Sequence, residues 1–532
     1  MNRNDRRNTL SSEPQNKTEA RKCSCQLGRG GGIERRDFLK LVAAGTAVSL
    51  VSRTEVMAAE RDRPSIVLVV ADDMGFSDLG CYGGEIRTPV IDRLAKDGVR
   101  FSQFYNCALC GPSRASLMTG CYAWDVGQAP GASIFANLKK NCATVMELLK
   151  ANGYATCAVG RLDMVTAEDW HDPVQIAKSV DRFLGSASGG AGNYFREAEG
   201  TPWFKDGKKY DRPVGEYSTD LISAFVAGFI ADSDKSGKPF FIYVSHYAPH
   251  WPLQAKEQDI APYREFYEKN DRKNLMQARL RRQVDAGLIP EGTTLHDSML
   301  KAQPAAGGSL ATERMAIHAA MIESIDRSLA GTLAALEKAG KLENTLILVF
   351  SDNGASHQTG FDRKAPPGVR PGSMDTFLCH GAALAALSNT PFRDYKTSNY
   401  EGGIASPLIA WWPGGLKDKG RISHVPCHIA DVMPTCLELA NVPYPSQFRG
   451  RNLIPLAGRS FAPVLHNTDK NAPRVLVWPK AVRDGDWKLV LGKNPELYRI
   501  SQDRNEKKDL AAEFPDRVLQ MKQIHVTIYP GR

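Results

Sequence analysis

Two short apolar runs without polar alternation constrain the fold of this chain most strongly. Ser65–Ala71 reads SIVLVVA, and Thr345–Phe350 reads TLILVF. Continuous β-branched runs of this kind are typical of strands that are buried on both faces of a parallel sheet. Helical patterns separate these runs along the chain. This alternation predicts an α/β fold, with a large, mostly parallel sheet flanked by helices.

Other segments fit the same architecture. Helices are predicted at Pro89–Lys96, where proline suits the first turn, and at Thr144–Ala151. Glu313–Ala339 carries apolar residues at helical spacing, and this stripe, which includes His318, is predicted to be core. The charged stretch 254–308 is predicted to be a helical excursion over the surface. Three more strands are predicted, at Val99–Phe104, Tyr154–Gly160 and Phe240–Ser245.

The pattern changes after Pro413. A helix is predicted at Asp431–Ala440, and short apolar runs separated by turn residues such as Asp484-Gly485 follow it. Such runs predict a smaller antiparallel sheet, here followed by a terminal helix. We therefore assign residues 59–413 to the main α/β domain and residues 414–532 to a C-terminal subdomain. The four runs are Val475–Trp478, Ala481–Arg483, Lys488–Leu491 and Glu496–Ile500.

Residues 1–58 resemble an export leader. Residues 1–32 are polar and basic, which is typical of disorder. Arg35-Arg36 precedes Phe38-Leu39-Lys40 and a short apolar stretch, as in a twin-arginine signal, with a candidate cleavage site after Ala58. The stretch is too short to span a bilayer, so we expect no transmembrane helix. We expect export by the twin-arginine translocase to a bacterial periplasm or beyond; a chance Arg-Arg pair is the alternative.

The distribution of charge argues against a nucleic-acid partner. The chain carries 68 Lys and Arg against 59 Asp and Glu, a formal net charge of +9. Much of this excess lies in residues 1–58, which hold 11 basic and 6 acidic residues. The rest of the chain is only mildly basic. An anionic substrate would therefore be held by local groups and not by the overall field.

Acidic and amide side chains follow both of the first two apolar runs. Asp72 and Asp73 follow the first run, and Asp352 and Asn353 follow the second. The carboxyl ends of parallel strands share one edge of a sheet, where α/β proteins bind their ligands. Hard oxygen ligands of this kind suit Ca²⁺ or Mg²⁺ better than Zn²⁺. Capping of helices or turns is the alternative interpretation of each pair.

A further motif is Cys110-Gly-Pro-Ser-Arg114, which continues as Ala-Ser-Leu-Met-Thr-Gly120. The proline favours a helix start, so Cys110 is predicted at a helix N-terminus, where free amides favour an anion. Arg114 lies one turn further on, within reach of Cys110. Cys107 and Cys110 also have thioredoxin-like spacing, but the Pro-Ser-Arg context explains Cys110 better. A buried cysteine beside a helix start is the alternative.

This run matches the sulfatase signature, Cys-x-Pro-Ser-Arg followed by Leu-x-Thr-Gly. From about Ser65 onward the chain resembles the formylglycine-dependent sulfatases, an arylsulfatase A-like branch of the alkaline phosphatase superfamily. The resemblance implies that a formylglycine-generating enzyme oxidises Cys110 to formylglycine, whose hydrated aldehyde is the nucleophile. It also implies one Ca²⁺, with Mg²⁺ the lesser candidate. The implied ligands are Asp72, Asp73, Asp352, Asn353 and an oxygen of the modified Cys110.

Two more segments match sulfate-binding residues of that family. His250, in Pro-His-Trp-Pro, matches the sulfate-side histidine, and Lys396, after Asn-Thr-Pro-Phe-Arg-Asp-Tyr, matches the second sulfate-binding lysine. The family motif Gly-Lys-Trp-His is replaced here by Gly-Arg161-Leu-Asp163. Arg161 keeps the lysine's charge, whereas Asp163 replaces a histidine that binds the formylglycine. Residues 121–125 also lack the family's usual basic residues.

The leading hypothesis is therefore hydrolysis of a small-molecule or oligosaccharide sulfate ester. The hydrated aldehyde would attack sulfur, the alcohol would leave, and the second hydroxyl would expel sulfate. Arg114 would hold the nucleophile; Arg161, Lys396 and His250 would bind the sulfate oxygens, and His250 would protonate the leaving oxygen.

Two alternatives stay open. One is a phosphate or phosphonate monoester hydrolase on the same scaffold. The other is a non-catalytic binder of sulfated glycans, which the replacement at Asp163 favours. In every case the loops near residues 128–140, 165–200 and 254–308 are expected to contact the leaving group.

Overall fold

The runs predicted as buried strands lie side by side at the centre of one large sheet. The computed structural model describes residues 63–127, 141–163, 179–186, 192–198, 200–234, 237–303, 309–468 and 473–529. The predicted leader, residues 1–58, lies outside the described residues, as do the loop at 128–140 and part of the loop at 165–200.

Five of the described strands of the large sheet follow predicted runs, and Ser65–Ala71 matches its run residue for residue; the other strands were not predicted. In chain order the strands of this sheet are β1 (Ser65–Ala71), β2 (Val99–Tyr105), β3 (Ala155–Arg161), β4 (Arg182–Ser186), β5 (Trp203–Lys205), β6 (Lys208–Lys209), β7 (Phe240–Ser245), β8 (Thr345–Ser351), β9 (Ala405–Trp411), β10 (Arg421–Ser423) and β11 (Cys427–His428).

The spatial order of these strands is β10-β2-β9-β8-β1-β7-β3-β4-β5-β6, and β11 also pairs with β2. Strand β1 pairs in parallel with β8 on one side and with β7 on the other. Only β9 and β5 run against the other described strands, because each pairs antiparallel with both of its neighbours. The sheet is therefore mostly parallel, as predicted.

Helices pack on both faces of this sheet. The α-helices of the described residues are, in chain order, α1 (Pro89–Lys96), α2 (Cys110–Thr119), α3 (Val145–Ala151), α4 (Ser218–Asp234), α5 (Glu257–Lys269), α6 (Arg272–Asp285), α7 (Asp297–Leu300), α8 (Ser309–Lys338), α9 (Ala382–Ser388), α10 (Glu401–Ile404), α11 (Val432–Leu439), α12 (Ala462–Leu465) and α13 (Pro515–Ile528), and the last of them packs on the C-terminal sheet instead.

Strand β1 shows why an unbroken apolar run was needed. Val67 and Val69 belong to one apolar core, and Ile66, Leu68 and Val70 belong to a second core on the other face. Successive side chains of a strand point to opposite faces, so both faces of β1 are covered by packed side chains. The alternating members of one run therefore supply two separate cores.

The C-terminal part forms the predicted antiparallel sheet. A short hairpin, β12 (Gln447–Phe448) and β13 (Arg451–Asn452), precedes it. The sheet itself is a four-stranded meander against which α13 packs through Val518 and Met521. Beyond residue 413, β10 and β11 still pair with β2 of the large sheet, and the division at 413 stays a prediction. The meander strands are β14 (Val475–Trp478), β15 (Ala481–Asp484), β16 (Trp487–Val490) and β17 (Glu496–Arg499).

The described part of the stretch 254–308, residues 254–303, is largely helical as predicted, but it is more than a surface excursion. Arg279 on α6 is 1% exposed, and it donates hydrogen bonds to the carboxylates of Asp78 and Glu85. His318 on α8, predicted to be core, is buried and contacts the same Asp78. The charged composition predicted an exposed segment, since arginine is rarely buried without a partner. Arg279 can be buried here because two carboxylates pair with it. None of the described helices is both long and apolar enough to cross a membrane.

Candidate active site

The four predicted oxygen ligands meet at the carboxyl edge of the sheet. Strands β1 and β8 are paired in parallel over their full lengths, so the residues that follow them lie at the same level. Asp72, Asp73, Asp352 and Asn353 are all fully buried. Asp73 has a φ of 71°, in the left-handed region. Its Oδ1 accepts a hydrogen bond from Nδ2 of Asn353 at 2.6 Å.

Helix α2 brings Cys110 and Arg114 to the same place. Cys110 is the first residue of the helix, as predicted, and both side chains are buried. The Arg114 guanidinium reaches into the acidic cluster, where Nε donates to Asp352 Oδ2 at 3.0 Å and Nη2 lies 3.2 Å from Asp72 Oδ2. Arg114 therefore neutralises the carboxylates that follow two different strands.

Arg161, at the end of β3, is the arginine that contacts Cys110. Its Nη2 lies 3.2 Å from Cys110 Sγ and 3.0 Å from Asp163 Oδ2, and its Nη1 pairs with Asp72. Asp163 is fully buried with a φ of 52°. The carboxylate that departs from the family pattern thus has a cation in direct contact, which compensates its buried charge.

His250 and Lys396 approach the cluster from the side of Asp73. The backbone carbonyl of Trp251 only accepts hydrogen bonds, so His250 donates to it from Nδ1 at 2.6 Å. Nε2 of His250 then faces Asp73, whose Oδ2 is 3.7 Å away. Lys396 Nζ lies 2.6 Å from Asp73 Oδ1. All the residues predicted for catalysis or metal binding therefore form one buried cluster.

Burial is the largest influence on the charges of this cluster, and it favours the neutral forms. For Asp352, burial and the nearby charge of Asp72 raise the pKa to about 7, against the opposing effect of Arg114. For Asp72, the cations around it, Arg161 first, outweigh burial and lower the pKa. Burial raises the pKa of the Cys110 thiol to about 11, so the unmodified thiol is protonated at neutral pH.

Comparison with known proteins assigns the family. The sulfatase family model matches residues 64–442. The chain belongs to the sulfatase family. It is 30% identical over 528 residues to an uncharacterized sulfatase of Schizosaccharomyces pombe, which covers 86% of this chain and 92% of that protein. It is 28% identical over 457 residues to the arylsulfatase of Klebsiella aerogenes, which covers 79% of this chain and 96% of that enzyme.

Solved structures share the fold of this chain. Ps i-CgsB in complex with k-i-k-neocarrahexaose superposes with a TM-score of 0.65 at 25% identity, over 88% of this chain and 94% of that chain. The predicted fold, a large mostly parallel sheet with a small C-terminal antiparallel sheet, is confirmed. The predicted enzyme class, a sulfuric ester hydrolase, is confirmed as well.

The donor set of this sulfatase fits a hard divalent cation. Three buried oxygens of the four predicted metal ligands have no hydrogen-bond partner: Oδ1 of Asp72, Oδ2 of Asp73 and Oδ1 of Asn353. Oδ1 of Asp163 is a fourth such oxygen in the cluster. Ligand atoms of Asp72, Asp73 and His250 also lie within 4.8 Å of one another. Buried polar atoms normally have partners. Three oxygens left over in one place are the arrangement that a cation with oxygen ligands completes.

Several residues of the cluster carried no signal in the sequence. Tyr243 lies inside an apolar run, yet its hydroxyl accepts a hydrogen bond from Arg114 Nη1 at 2.9 Å, and Ser245 Oγ contacts the same nitrogen. His380 is 1% exposed, and neither of its ring nitrogens has a hydrogen-bond partner. Burial lowers the pKa of His380 to about 3, and Asp73 and Lys396 are among the charges that act on it. No sequence motif marks these residues, since a lone histidine or serine occurs in many segments.

Proposed function

We propose that this sulfatase releases sulfate from an O-sulfate ester of a carbohydrate or an aryl alcohol, after conversion of Cys110 to formylglycine. The observation that carries the proposal is the position of Cys110. It starts a helix and lies in contact with Arg161, beside the predicted metal ligands, three of whose buried oxygens have no hydrogen-bond partner. Formylglycine at position 110 would supply the nucleophile, and the sulfur now marks its place.

The cations of the cluster are arranged to hold a sulfate group. Arg161, Lys396 and His250 are buried and approach the neighbourhood of Cys110 from different strands and loops. Fixed donors in a site with little water stabilise the charge that develops on a transferring group. Arg161 contacts Cys110 directly, so it is the residue best placed to bind a sulfate oxygen beside the nucleophile.

Two roles concern protons and charge balance. His250 has its Nδ1 engaged with a carbonyl, which leaves Nε2 as the ring nitrogen that faces the pocket. We assign its imidazolium form, which carries a proton on both ring nitrogens and lies beside the Asp73 carboxylate, the delivery of the Nε2 proton to the leaving oxygen. Arg114, which the sequence led us to expect at the nucleophile, contacts Asp352 and Asp72 instead, and we propose that it keeps these carboxylates in place.

A bound Ca²⁺, with Mg²⁺ as the lesser candidate, completes the proposal. Asp72, Asp73 and Asn353 would hold it through their unpartnered oxygens, with Asp352 beside them. When bound, such an ion polarises sulfate oxygens and favours ionisation of a nearby hydroxyl. Conversion of Cys110 and export through the predicted leader are proposed on the sequence motifs.

The test is sulfate release from a fluorogenic aryl sulfate and from sulfated oligosaccharides. The protein would be coexpressed with a formylglycine-generating enzyme, and conversion of Cys110 would be verified by peptide mass. Cys110→Ala should abolish turnover. Cys107→Ala is the matched control, because Cys107 is a nearby thiol that contacts Ser116 on α2 instead of the acidic cluster. Turnover retained in Cys110→Ala would refute the proposal.

The same assay separates the alternatives. A matched aryl phosphonate tests the phosphonate hydrolase hypothesis, which the relatives, themselves sulfatases, do not favour. Sulfated glycan that binds to fully converted protein without sulfate release would support a non-catalytic binder. Arg161 already pairs with Asp163, so we expect the converted protein to turn over sulfate esters in spite of that carboxylate.

A further inference from the structure

A row of aromatic rings leads from His250 to the surface. The imidazole of His250 and the indole of Trp251 have centroids 4.7 Å apart. Trp251 in turn stacks on Phe361, with centroids 4.8 Å apart and planes 15° from parallel. Phe361 is 52% exposed, which is unusual for a large apolar side chain in the described part of this protein. Two ring-to-ring steps therefore connect the proposed sulfate site to an uncovered phenyl ring.

The surface formed by the rings of Trp251, Phe361 and Phe377, here called the aromatic wall, is positively charged. The guanidinium of Arg363 lies over the ring of Phe377, 4.6 Å from its centroid, and Phe377 packs beside Trp251. The acidic residues of this segment already have cation partners, since Asp362 lies 2.8 Å from Arg314 and Asp375 lies 3.2 Å from Arg196. Arg363 and its exposed neighbour Lys364 are therefore not neutralised by Asp362 or Asp375.

The aromatic wall is fixed in place by polar contacts behind the rings. Trp251 Nε1 donates to the side chain of Gln358 at 2.7 Å, and the backbone N–H of Gly381 donates to the carbonyl of Gln358 at 3.0 Å. The backbone N–H of Arg363 donates to the carbonyl of Phe377 at 2.9 Å. A surface held in this way pays little ordering cost when a ligand binds.

We infer that Trp251, Phe361, Phe377 and Arg363 form a leaving-group subsite for a sugar ring that carries a second anionic group. This inference rests on the proposed function, because the subsite is useful only next to a sulfate site. The apolar face of a sugar ring packs on an exposed aromatic ring, as apolar ligand surfaces do in binding pockets. A guanidinium pairs with a sulfate or carboxylate through two parallel hydrogen bonds.

The experiment measures binding, so that it does not depend on turnover. Isothermal titration calorimetry with Cys110→Ala protein would use matched pairs of sulfated saccharides, each pair differing by one additional sulfate or carboxylate. We expect the doubly anionic member of at least one pair to bind about tenfold tighter, as expected for one added charged hydrogen-bonded contact. Arg363→Gln should remove this preference, because the second anion loses its guanidinium partner.

Phe361→Ala should weaken binding of both members about three- to tenfold, the value of one aromatic contact. Phe266→Ala is the control, because Phe266 is an exposed ring on α5 that packs beside Tyr267. Equal affinities within every pair, or no effect of Phe361→Ala, would overturn the inference. An aryl sulfate whose binding depends on Phe361, together with no preference for a second anion, would also overturn the inference. The aromatic wall would then bind an aryl leaving group instead of a sugar.

The two proposals fail separately. If converted protein releases no sulfate but the Cys110→Ala protein binds saccharides in the expected way, the subsite stands and the catalytic proposal falls. If sulfate is released and the binding pattern is absent, the catalytic proposal stands and the subsite falls.

Discussion

At the scale of single residues, Arg161 contacts three other residues of the site, which its sequence motif did not indicate. Its guanidinium contacts Cys110, Asp72 and Asp163, all of which are buried. Arg161→Ala leaves two buried carboxylates with reduced compensation, and breaking a buried pair in this way costs about 3–5 kcal/mol. We expect a lower thermal unfolding midpoint. Adding Asp163→Asn removes one uncompensated charge, so the double variant should be more stable than Arg161→Ala alone.

Circular dichroism of the wild type, the single variant and the double variant measures this coupling. Arg182→Ala is a suitable control, because the pair that Arg182 forms with Asp206 is about one-third exposed on both sides. Exposed pairs contribute about 0–1 kcal/mol. A double variant that unfolds at the same temperature as Arg161→Ala would show that Arg161 does not compensate Asp163.

The unpartnered oxygens of Asp72, Asp73 and Asn353 give a second prediction at this scale. Removal of divalent cations by a chelator should lower the unfolding midpoint, because a ligand at one hundred times its Kd stabilises the folded state by about 2.7 kcal/mol. Ca²⁺ should restore the midpoint more completely than Mg²⁺. Asn353→Ala removes one of these oxygens, so its midpoint should respond less to the chelator. Identical responses of wild type and Asn353→Ala would argue against Asn353 as a ligand.

At the scale of elements, Gly160 shows how tightly β3 is held against β7. Gly160 has a φ of +92°, and a Cβ added there would lie 1.8 Å from the backbone oxygen of Ser245. Gly160→Ala must therefore displace the end of β3, which carries Arg161. We expect the free energy of unfolding to fall by more than about 3 kcal/mol. The left-handed conformation alone would account for about 1–2 kcal/mol of this. Urea unfolding measures the loss.

Gly153→Ala isolates the contribution of the close contact. Gly153 has a similar φ of +87°, but the heavy atom that an added Cβ would approach most closely is a side-chain nitrogen of Arg63, at 3.7 Å. This variant should lose only the cost of the backbone conformation, about 1–2 kcal/mol. Equal losses for the two alanine variants would show that strand packing at Gly160 adds nothing.

The elements that the sequence predicts well are those whose signal is local. β1, β7 and β8 lie where the apolar runs place them, and their shared parallel edge explains why Asp72 and Asp352 meet. The position of β9 between β8 and β2 was not predicted, because strand order depends on pairings far apart in the chain. Phe361 was missed because a single aromatic residue in a loop gives no periodic signal.

At the scale of the whole molecule, a buried ionic cluster joins the C-terminal sheet to the large sheet. Lys488 on β16 lies 2.9 Å from Glu401 and 2.7 Å from Glu506. Arg504 lies 3.2 Å from Glu401, and the hydroxyl of Tyr105 on β2 donates a hydrogen bond to the carboxylate of Glu401. Two carboxylates thus share one lysine. Burial, with a contribution from the charge of Glu401, raises the pKa of Glu506 to about 7.

This raised pKa makes stability depend on pH. Glu506 titrates near 4.5 when unfolded and near 7 when folded, so folding favours its protonated form. The stabilisation of the folded state by protonated Glu506 is fully present below pH 4.5, and it is lost as the pH rises through 7. Glu506→Gln keeps an acceptor for the N–H of Glu401, which donates to Glu506 at 2.7 Å, but it cannot ionise. Relative to the wild type, the variant should therefore gain about 1–3 kcal/mol between pH 5 and pH 8.

Urea unfolding midpoints measured across that range give the difference directly. Glu513→Gln makes the same chemical change at an exposed carboxylate that lies 3.4 Å from Lys508, and it should follow the wild type at every pH. If Glu506→Gln also follows the wild type, Glu506 is ionised in the folded state throughout. The attachment of the C-terminal sheet would then rest on a fully charged cluster, and raising the pH from 5 to 8 would not weaken it.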